Sequence, residues 1–306
     1  MIREYAVDPD AYTRNLDALQ RFFTDFRAEK GRVVTAIPNL ERNWVRAQQN
    51  CIRAMQLPPV QRKKCFDKIS ELAASSLMPG IQIPTNLNLW IEQARHVKGE
   101  LGTEAIITCT TDEPNGEFDY AQLMFNEPQN WNIDQTISVA RNAQSLAEAI
   151  SVSLSLADVA MFIDPYFHPS DDRYRRPFIE FIQRLSGGRR PCRRALIYTA
   201  LQGDKTKADL QRGLDDHIQP LLPAGFELEL SIWPSNQMHD RFVLTKQVGY
   251  SFGHGLDEAT YQGAIEVNIH RLAETTRQAE YRKFSNTAIR QGDPIVIVGT
   301  QEEVAP

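Results

Sequence analysis

The chain has 306 residues, enough for one large domain or two ordinary ones. Its hydrophobic content of 42% with 24% charged residues is typical of a globular protein and excludes an intrinsically disordered one. The net charge of −5 argues against a protein that coats nucleic acid non-specifically, because such proteins carry a basic excess.

Neither a membrane span nor a metal or disulfide framework is indicated. No apolar run approaches the length that crosses a bilayer, and the first residues are not of signal-peptide type, so the sequence predicts a cytoplasmic location without membrane association. The four cysteines lack CxxC spacing and are expected to be ordinary thiols. They are Cys51, Cys65, Cys109 and Cys192.

Residues 1–132 predict a mostly helical α+β domain, with a role in recognising a partner or the substrate. Apolar residues recur at helical spacing in three segments, and two short strands surround a Pro-Asn-Gly turn. The predicted helices cover residues 12–27, the segment from the N-cap Asn39 to about residue 57, and residues 60–72. The predicted strands cover 104–109 and 120–125.

After a polar, proline-bearing segment at 126–132, helices and strands alternate, and residues 133–306 are predicted to form a second domain. This alternation favours an α/β fold with a mixed, largely parallel sheet. Helices are predicted over 137–156, 176–185, 206–222 and 273–287. Strands are predicted over 159–164, 195–199, 226–233 and 264–269, with a hairpin near residues 239–253.

Two groups of arginines flank one predicted helix. They are either solvated helix ends or contacts for a phosphate backbone, and the sequence leaves both interpretations open. The first group is Arg173, Arg175 and Arg176, and the second is Arg189, Arg190, Arg193 and Arg194.

The predicted hairpin carries the chemistry of this chain. His239 and Arg241 are two positions apart and are expected on one face of a strand, because side chains alternate along a strand. The return strand ends in the glycine-rich corner Gly253-His254-Gly255, followed by Asp257. Imidazoles, a guanidinium and a carboxylate near glycines, where a ligand can approach the backbone, indicate phosphate chemistry.

This pattern resembles the phospholipase D-like superfamily, whose signature is H-x-K, four residues, D, and a strand that ends in G-S-x-N. Arg241 stands in place of the lysine, Lys246 at the acidic position, and residues 253–257 in place of G-S-x-N. Upstream, an apolar run ends in Asp164-Pro-Tyr166, as in many such domains. The resemblance covers about 137–290 and implies a phospholipase D-like α/β sandwich.

The resemblance also implies a mechanism. His239 would attack a phosphodiester to give a phosphohistidine, Arg241 would hold the non-bridging oxygens, and neither a metal nor another cofactor would be required. The family builds its site from two copies of the motif, whereas this chain has one. The second histidine would come from a second subunit in a homodimer, or it would be His254 of the same chain.

Other residues receive supporting roles. Asp257 and Glu266 are candidates to orient a histidine. Asp164 is expected either to line the pocket or to cap the turn at Pro165-Tyr166. Tyr166 and Lys246 are the remaining side chains expected to bind substrate, and Gly253 and Gly255 would let substrate approach the backbone.

These expectations lead to a phosphodiesterase, most simply a nuclease acting on DNA or RNA, of the kind found in prokaryotic anti-phage and restriction systems, with an ATPase or helicase as a possible partner. The alternative is a catalytically inactive phosphate-binding or protein-interaction module that keeps the fold. A third interpretation is an unrelated α/β protein with a chance motif.

Overall fold

The computed structural model describes residues 1–128, 131–260 and 265–301. The chain divides into two compact units, an N-terminal unit of Ile2–Asp134 and a C-terminal unit of Gln135–Pro306 with Met1. The boundary predicted between residues 132 and 133 lies beside this division. Each unit has a sheet of its own. Among the described residues, no helix is long and apolar enough to cross a membrane.

The N-terminal unit is built on a five-stranded sheet. Its strands are β1 (Arg3–Val7), β2 (Arg32–Thr35), β3 (Leu77–Met78), β4 (Ala105–Thr108) and β5 (Glu117–Asp119). Its helices are α1 (Pro9–Thr13), α2 (Leu16–Asp25), α3 (Glu41–Ala54), α4 (Pro59–Ser76) and α5 (Trp90–Leu101). The strand order is β3-β2-β1-β4-β5, and every pair is parallel.

The predicted α+β class of this unit is therefore wrong, because parallel strands with helical connections make it α/β. The structure adds the strands β1 and β2, whose short apolar runs carry no clear strand pattern. Residues 120–125 were predicted as a strand, but they contain a 3-10 turn at Gln122–Met124, and the strand β5 lies just before it. The helices predicted over 12–27 and 60–72 are confirmed, the first as the pair α1 and α2.

Both faces of this sheet are buried. Tyr5 and Val7 of β1 face a large core that includes Phe22 of α2 and Trp44 of α3. Ala6, between them, faces a smaller core that includes Val97 of α5 and Ile106 of β4. Because neighbouring side chains on a strand point to opposite faces, burial of all three places helices on both sides of the sheet.

The C-terminal unit is built on an eight-stranded sheet. Its strands are β6 (Thr136–Ala140), β7 (Ala160–Ile163), β8 (Arg194–Thr199), β9 (Glu227–Ile232), β10 (Phe242–Thr245), β11 (Gly249–Phe252), β12 (Glu266–Arg271) and β13 (Ile295–Val298). Its helices are α6 (Ala143–Ala149), α7 (Ser151–Leu156), α8 (Asp172–Ser186), α9 (Lys207–His217) and α10 (Glu274–Ser285). The strand order is β13-β9-β8-β7-β10-β11-β12-β6.

This sheet is mixed, as predicted, but it is not largely parallel. Only β7 with β8 and β8 with β9 pair in parallel, and the other five pairings are antiparallel. The unit is therefore α/β with a parallel centre and antiparallel flanks.

Three local predictions need correction. Residues 137–156 are not one helix, because β6 occupies the start and pairs with β12. The strand predicted from Ala264 begins at Glu266, and Ala264 itself lies outside the described residues. The edge strand β13 was not predicted at all.

The central strand β7 is buried on both faces. Phe162 packs against Phe178 and Phe181 of α8, with ring centroids 5.3 and 5.5 Å away. Met161 and Ile163 point the other way. They lie in a core that also contains Trp233, directly after β9, and Phe284 of α10. Helices therefore cover both faces of this sheet as well, which gives an α/β sandwich.

The strand directions bring three chain segments to one edge of the sheet. Phe242, at the start of β10, pairs antiparallel with Ile163, at the end of β7. Phe242 also pairs with Ser251, near the end of β11. The segments after β7, before β10 and after β11 therefore lie at the same edge, which we call the site edge. The turn between β10 and β11, which contains Lys246, is at the other end of the hairpin.

Candidate active site at the edge of the C-terminal sheet

His239 and Arg241 lie at the site edge, but they precede the strand rather than belong to it. β10 begins at Phe242, after a 3-10 turn at Ser235–Gln237. The carbonyl of Arg241 still accepts a hydrogen bond from the backbone N–H of Phe252 at 2.9 Å, so the backbone of Arg241 is tied to the end of β11. The His239 side chain is exposed, and within the described ranges no hydrogen bond holds it.

Arg241 lies over an aromatic ring. Its guanidinium carbon is 5.1 Å from the ring centroid of Tyr166, and its Nη1 is 3.4 Å from the carbonyl oxygen of His239, to which it donates. Its Nε is buried and has no hydrogen-bond partner in the part of the chain that the structure describes. A buried guanidinium N–H without a partner is costly, so this N–H is suited to donate a hydrogen bond to a ligand oxygen.

Asp164 joins two of the three segments. Its Oδ1 accepts the backbone N–H of Tyr166 at 2.9 Å, and its Oδ2 accepts the backbone N–H of Leu256 at 3.0 Å. The predicted turn-capping role is confirmed by the first of these bonds. The second bond was not foreseen, and it fastens the corner after β11 to the end of β7.

The carboxyl of Asp164 is buried, and its pKa is raised. Burial is the main cause, because it disfavours the charged form, and the nearby Asp257 acts in the same direction. The two backbone N–H donors and Arg241 oppose the rise in pKa without cancelling it.

The glycine corner requires glycine at one position. Gly255 has φ of +110°, where residues with a side chain are strained. An ideal Cβ at Gly255 would lie 2.6 Å from Oδ1 of Asp257 and 3.3 Å from Oδ2 of Asp164. At Gly253 the nearest atom to an ideal Cβ is the carbonyl oxygen of Asn268 at 3.6 Å, which is ordinary contact.

Asp257 is buried between two arginines rather than beside a histidine. Its Oδ1 accepts a bond from Nη2 of Arg141. Its Oδ2 accepts bonds from Nε of Arg173 at 2.8 Å and from Nη2 of the same side chain. Both carboxylate oxygens are thus bound by guanidinium groups. The prediction that Asp257 orients a histidine is therefore wrong in this structure.

The same arginines hold the backbone of the corner. Nη2 of Arg141 donates to the carbonyl of His254 at 2.8 Å, and its Nε donates to the carbonyl of Asp257 at 3.0 Å. The carbonyl of Arg173 accepts the N–H of Glu258 at 2.9 Å. No local sequence pattern points to Arg141, because its partners lie far along the chain. Arg173 was noticed only as one of a group of charges.

Two further predicted residues lie away from this arrangement. Glu266 is exposed and accepts a hydrogen bond from the hydroxyl of Ser138 at 3.1 Å, so it does not orient a histidine here. Lys246 is exposed in the turn at the far end of the hairpin, since β10 runs from the site edge to Thr245. A strand rises about 3.3 Å per residue, so the whole length of β10 separates Lys246 from Arg241.

His254 and Gly253 do lie at the site edge, directly after β11. The backbone N–H of Gly253 donates to the carbonyl of Asn268 at 3.1 Å, which continues the pairing of β11 with β12. The His254 side chain is exposed, while its carbonyl is held by Arg141. The structure thus brings five predicted residues to one edge together with Asp257 and both glycines. They are Asp164, Tyr166, His239, Arg241 and His254.

Most of the arginine groups are occupied by ion pairs within the unit. Arg175 pairs with Asp172, and Arg176 with Glu258 at 3.2 Å. Arg194 pairs with Glu227 and Glu229 at 3.0 and 2.9 Å. These pairs favour the interpretation as solvated helix and strand ends over a row of free phosphate contacts.

The described residues contain no group of three or more histidine, cysteine or acidic side chains placed to hold a metal ion. The groups at the site edge that suit a ligand are cationic or hydrogen-bond donors, so the arrangement is fitted to bind an anion.

No family model matches this chain. No curated protein matches it either. Among solved structures, the chain is similar to TrmBL2, described as an archaeal chromatin protein with a novel mode of DNA binding, at 12% identity and a TM-score of 0.29. That match covers 56% of this chain and 57% of the other.

Proposed function

We propose that the C-terminal unit is a phospholipase D-like phosphodiesterase, and specifically a nuclease that cleaves DNA or RNA. The observation that carries the proposal is the meeting of His239, Arg241 and the Gly253–Asp257 corner at one edge of the sheet. The residues that resemble the family motif lie on three separate segments of the chain. Antiparallel pairing of β10 with β7 and with β11 brings these segments to the same edge of the sheet.

In the proposed reaction, a ring nitrogen of His239 attacks the phosphorus of a phosphodiester. The new P–N bond replaces one P–O ester bond, and a second histidine gives a proton to the leaving oxygen. Arg241 holds the non-bridging oxygens, for which its unpartnered Nε is suited. Water, deprotonated by the second histidine, then attacks the phosphorus, which breaks the P–N bond and releases the phosphate ester.

The second histidine would be His239 of a second copy in a homodimer, or His254 of the same chain. The two sources give different results at low protein concentration. Activity per chain that falls on dilution below the dimer dissociation constant supports the dimer, whereas constant activity of a monomer supports His254. An ATPase or helicase partner, an anti-phage or restriction role and a cytoplasmic location remain predictions from the sequence.

The deciding experiment is cleavage of labelled single- and double-stranded DNA and RNA in EDTA, with wild type, His239→Ala and Lys246→Ala. We expect metal-independent cleavage that is lost in His239→Ala and retained in Lys246→Ala, because Lys246 lies at the far end of the hairpin. Quenching in SDS at alkaline pH with 5′- or 3′-labelled DNA should trap label on the wild-type protein alone, because the P–N bond of a phosphohistidine survives base and is hydrolysed in acid. Equal activity in the wild type and His239→Ala would contradict the proposal.

One observation favours a second candidate, a catalytically inactive phosphate-binding module. Asp257 is engaged by Arg141 and Arg173, and Glu266 by Ser138, so neither predicted carboxylate is paired with a histidine. An imidazole without an orienting partner is a poorer nucleophile and base. Binding of oligonucleotides that depends on Arg241, without any cleavage by the wild type, would select this candidate.

A further inference from the structure

Tyr166 is a large aromatic side chain presented to solvent at the site edge. It is 48% exposed, whereas its neighbours Asp164 and Phe167 are buried. The position of its backbone is fixed: its N–H donates to Asp164 at 2.9 Å, and the carbonyl of Pro165 accepts a bond from Nε2 of Gln202 at 2.9 Å. An exposed ring on a fixed backbone is preorganised to contact a ligand, and it does not form part of the core.

The ring also has a cation on it. The guanidinium of Arg241 lies over Tyr166, with 5.1 Å between its carbon and the ring centroid. This contact orients the ring and places a group that binds phosphate directly beside an aromatic surface. A ligand that meets both side chains must therefore combine a phosphate with a flat apolar group close to it.

A nucleotide combines these two groups, and in a single strand the base is free to leave its neighbours. Bases of a duplex are stacked and paired in the interior, so they reach an aromatic side chain only after they have been extruded. Aromatic stacking with the bases is how proteins bind single-stranded nucleic acid without reading its sequence.

The charges of the chain favour the same ligand. Duplex binding without base contacts relies on many free cations, and the net charge here is −5. Arg175, Arg176 and Arg194, which could have supplied such cations, are paired with acidic side chains. Stacking would then contribute a large share of the affinity.

We propose that the site edge binds single-stranded DNA or RNA, with a base stacked on Tyr166 beside the phosphate held by Arg241. This inference rests on the proposed function for its location, and it adds the substrate class and the residue that selects it. Tyr166 is a specificity-determining residue in this assignment, distinct from the groups that act on the phosphorus.

The test is fluorescence anisotropy in EDTA, with His239→Ala as the background so that no ligand is cleaved. The probes are a labelled 12-nucleotide strand as DNA and as RNA, the corresponding duplexes, and DNA strands with one abasic site moved along the sequence. The proteins are the background, the background with Tyr166→Ala, with Tyr166→Phe, and with Val296→Ala as a matched exposed control on β13.

We expect single strands to bind at least about tenfold more tightly than duplexes. Tyr166→Ala should weaken single-strand binding by about 5- to 150-fold, the range for loss of one stacked base. Tyr166→Phe, which keeps the ring, and Val296→Ala should remain within about twofold. An abasic site at the stacked position should weaken the background protein and have little further effect on Tyr166→Ala, because the two changes remove the same contact.

Three results would overturn the inference: duplexes bound as tightly as single strands, single-strand affinity unchanged by Tyr166→Ala, or no binding of any strand. Tyr166-dependent binding to phosphatidylglycerol vesicles in place of oligonucleotides would also overturn it, in favour of a lipid surface. A failure of the proposed nuclease function can be distinguished from a failure of this inference. It would appear as a wild type that never cleaves although binding depends on Tyr166.

Discussion

Gly255 and Asp257 are fitted to each other: a Cβ on Gly255 would lie 2.6 Å from the carboxylate Oδ1 of Asp257. Gly255 also has a φ of +110°. We expect Gly255→Ala to lower the free energy of unfolding by about 1–3 kcal/mol, from backbone strain and displacement of the carboxylate. Urea denaturation followed by circular dichroism measures this change.

The matched control is Gly253→Ala, two residues earlier in the same corner. Its Cβ would meet nothing closer than 3.6 Å, and its φ is outside the left-handed region. We expect a change within about 0.5 kcal/mol, as for surface substitutions in general. Equal losses for the two variants would show that the corner is not constrained in the way described.

Removal of the Asp257 carboxylate should be among the most destabilising single changes in the C-terminal unit. Asp257→Ala leaves Arg141, which is 8% exposed in its side chain, with an uncompensated charge. Loss of one partner of a buried ion pair costs about 3–5 kcal/mol. Thermal and urea unfolding would measure it, with Glu266→Gln as the control, for which we expect less than about 0.5 kcal/mol. A mild effect of Asp257→Ala would mean that the two arginines find other partners.

The raised pKa of Asp164 predicts a dependence of stability on pH. The folded protein holds this proton more tightly than the unfolded chain, whose carboxyl has the ordinary value of 3.8. Its contribution to stability is therefore complete below that value and is lost as the pH rises through the pKa of the folded state.

Asp164→Asn removes this titration. We expect the variant to be destabilised relative to wild type at low pH, because the amide NH2 cannot accept the second backbone N–H. The difference should shrink as the pH rises above the ordinary carboxyl value of 3.8 and through the raised pKa of the folded state, by at most about 1.4 kcal/mol per pH unit. Urea unfolding across the series measures it, with the exposed Asp240→Asn for comparison. A difference independent of pH would contradict the assignment.

We expect Arg241 and Lys246 to contribute very differently to the binding of phosphate. Arg241→Ala should weaken binding of a single-stranded oligonucleotide by about tenfold or more, a loss in the range expected for a hydrogen bond to a charged group. Lys246→Ala should change it by less than about twofold, because the length of β10 lies between the two residues. Anisotropy titrations at a fixed salt concentration provide both numbers. Similar losses of affinity in the two variants would mean that Lys246 also contacts the oligonucleotide.

The site could be predicted from sequence where it is local. The apolar run before Asp164, the hairpin and the glycine corner are short patterns, and each is found where the sequence predicted it. The predicted strand phase of His239 and Arg241 was wrong, because Met238 is buried as the end of a turn and β10 starts only at Phe242. Nothing in the local pattern marks that change.

Structural features that depend on partners far away in the chain could not be predicted from the sequence. β6 alternates partly buried and exposed residues, which is a strand pattern, but α6 follows it closely, and the helix predicted over 137–156 therefore covers most of β6 as well. Arg141 and Arg173 reach Asp257 from positions 116 and 84 residues away. The parallel sheet of the N-terminal unit was missed for the same reason, since β1 is a short run whose neighbours, β2 and β4, come much later.

The bond between Asp164 and Leu256 joins residues 92 positions apart, and that separation matters while the chain is being made. At ribosomal rates of about 5–20 residues per second, Asp164 waits roughly five to twenty seconds for its second donor to be synthesised. A nascent chain that ends before Gly253 already carries His239 and Arg241, yet it lacks the glycine corner that lies beside them in the folded protein. The site is thus absent from every incomplete form of the protein that stops short of that corner.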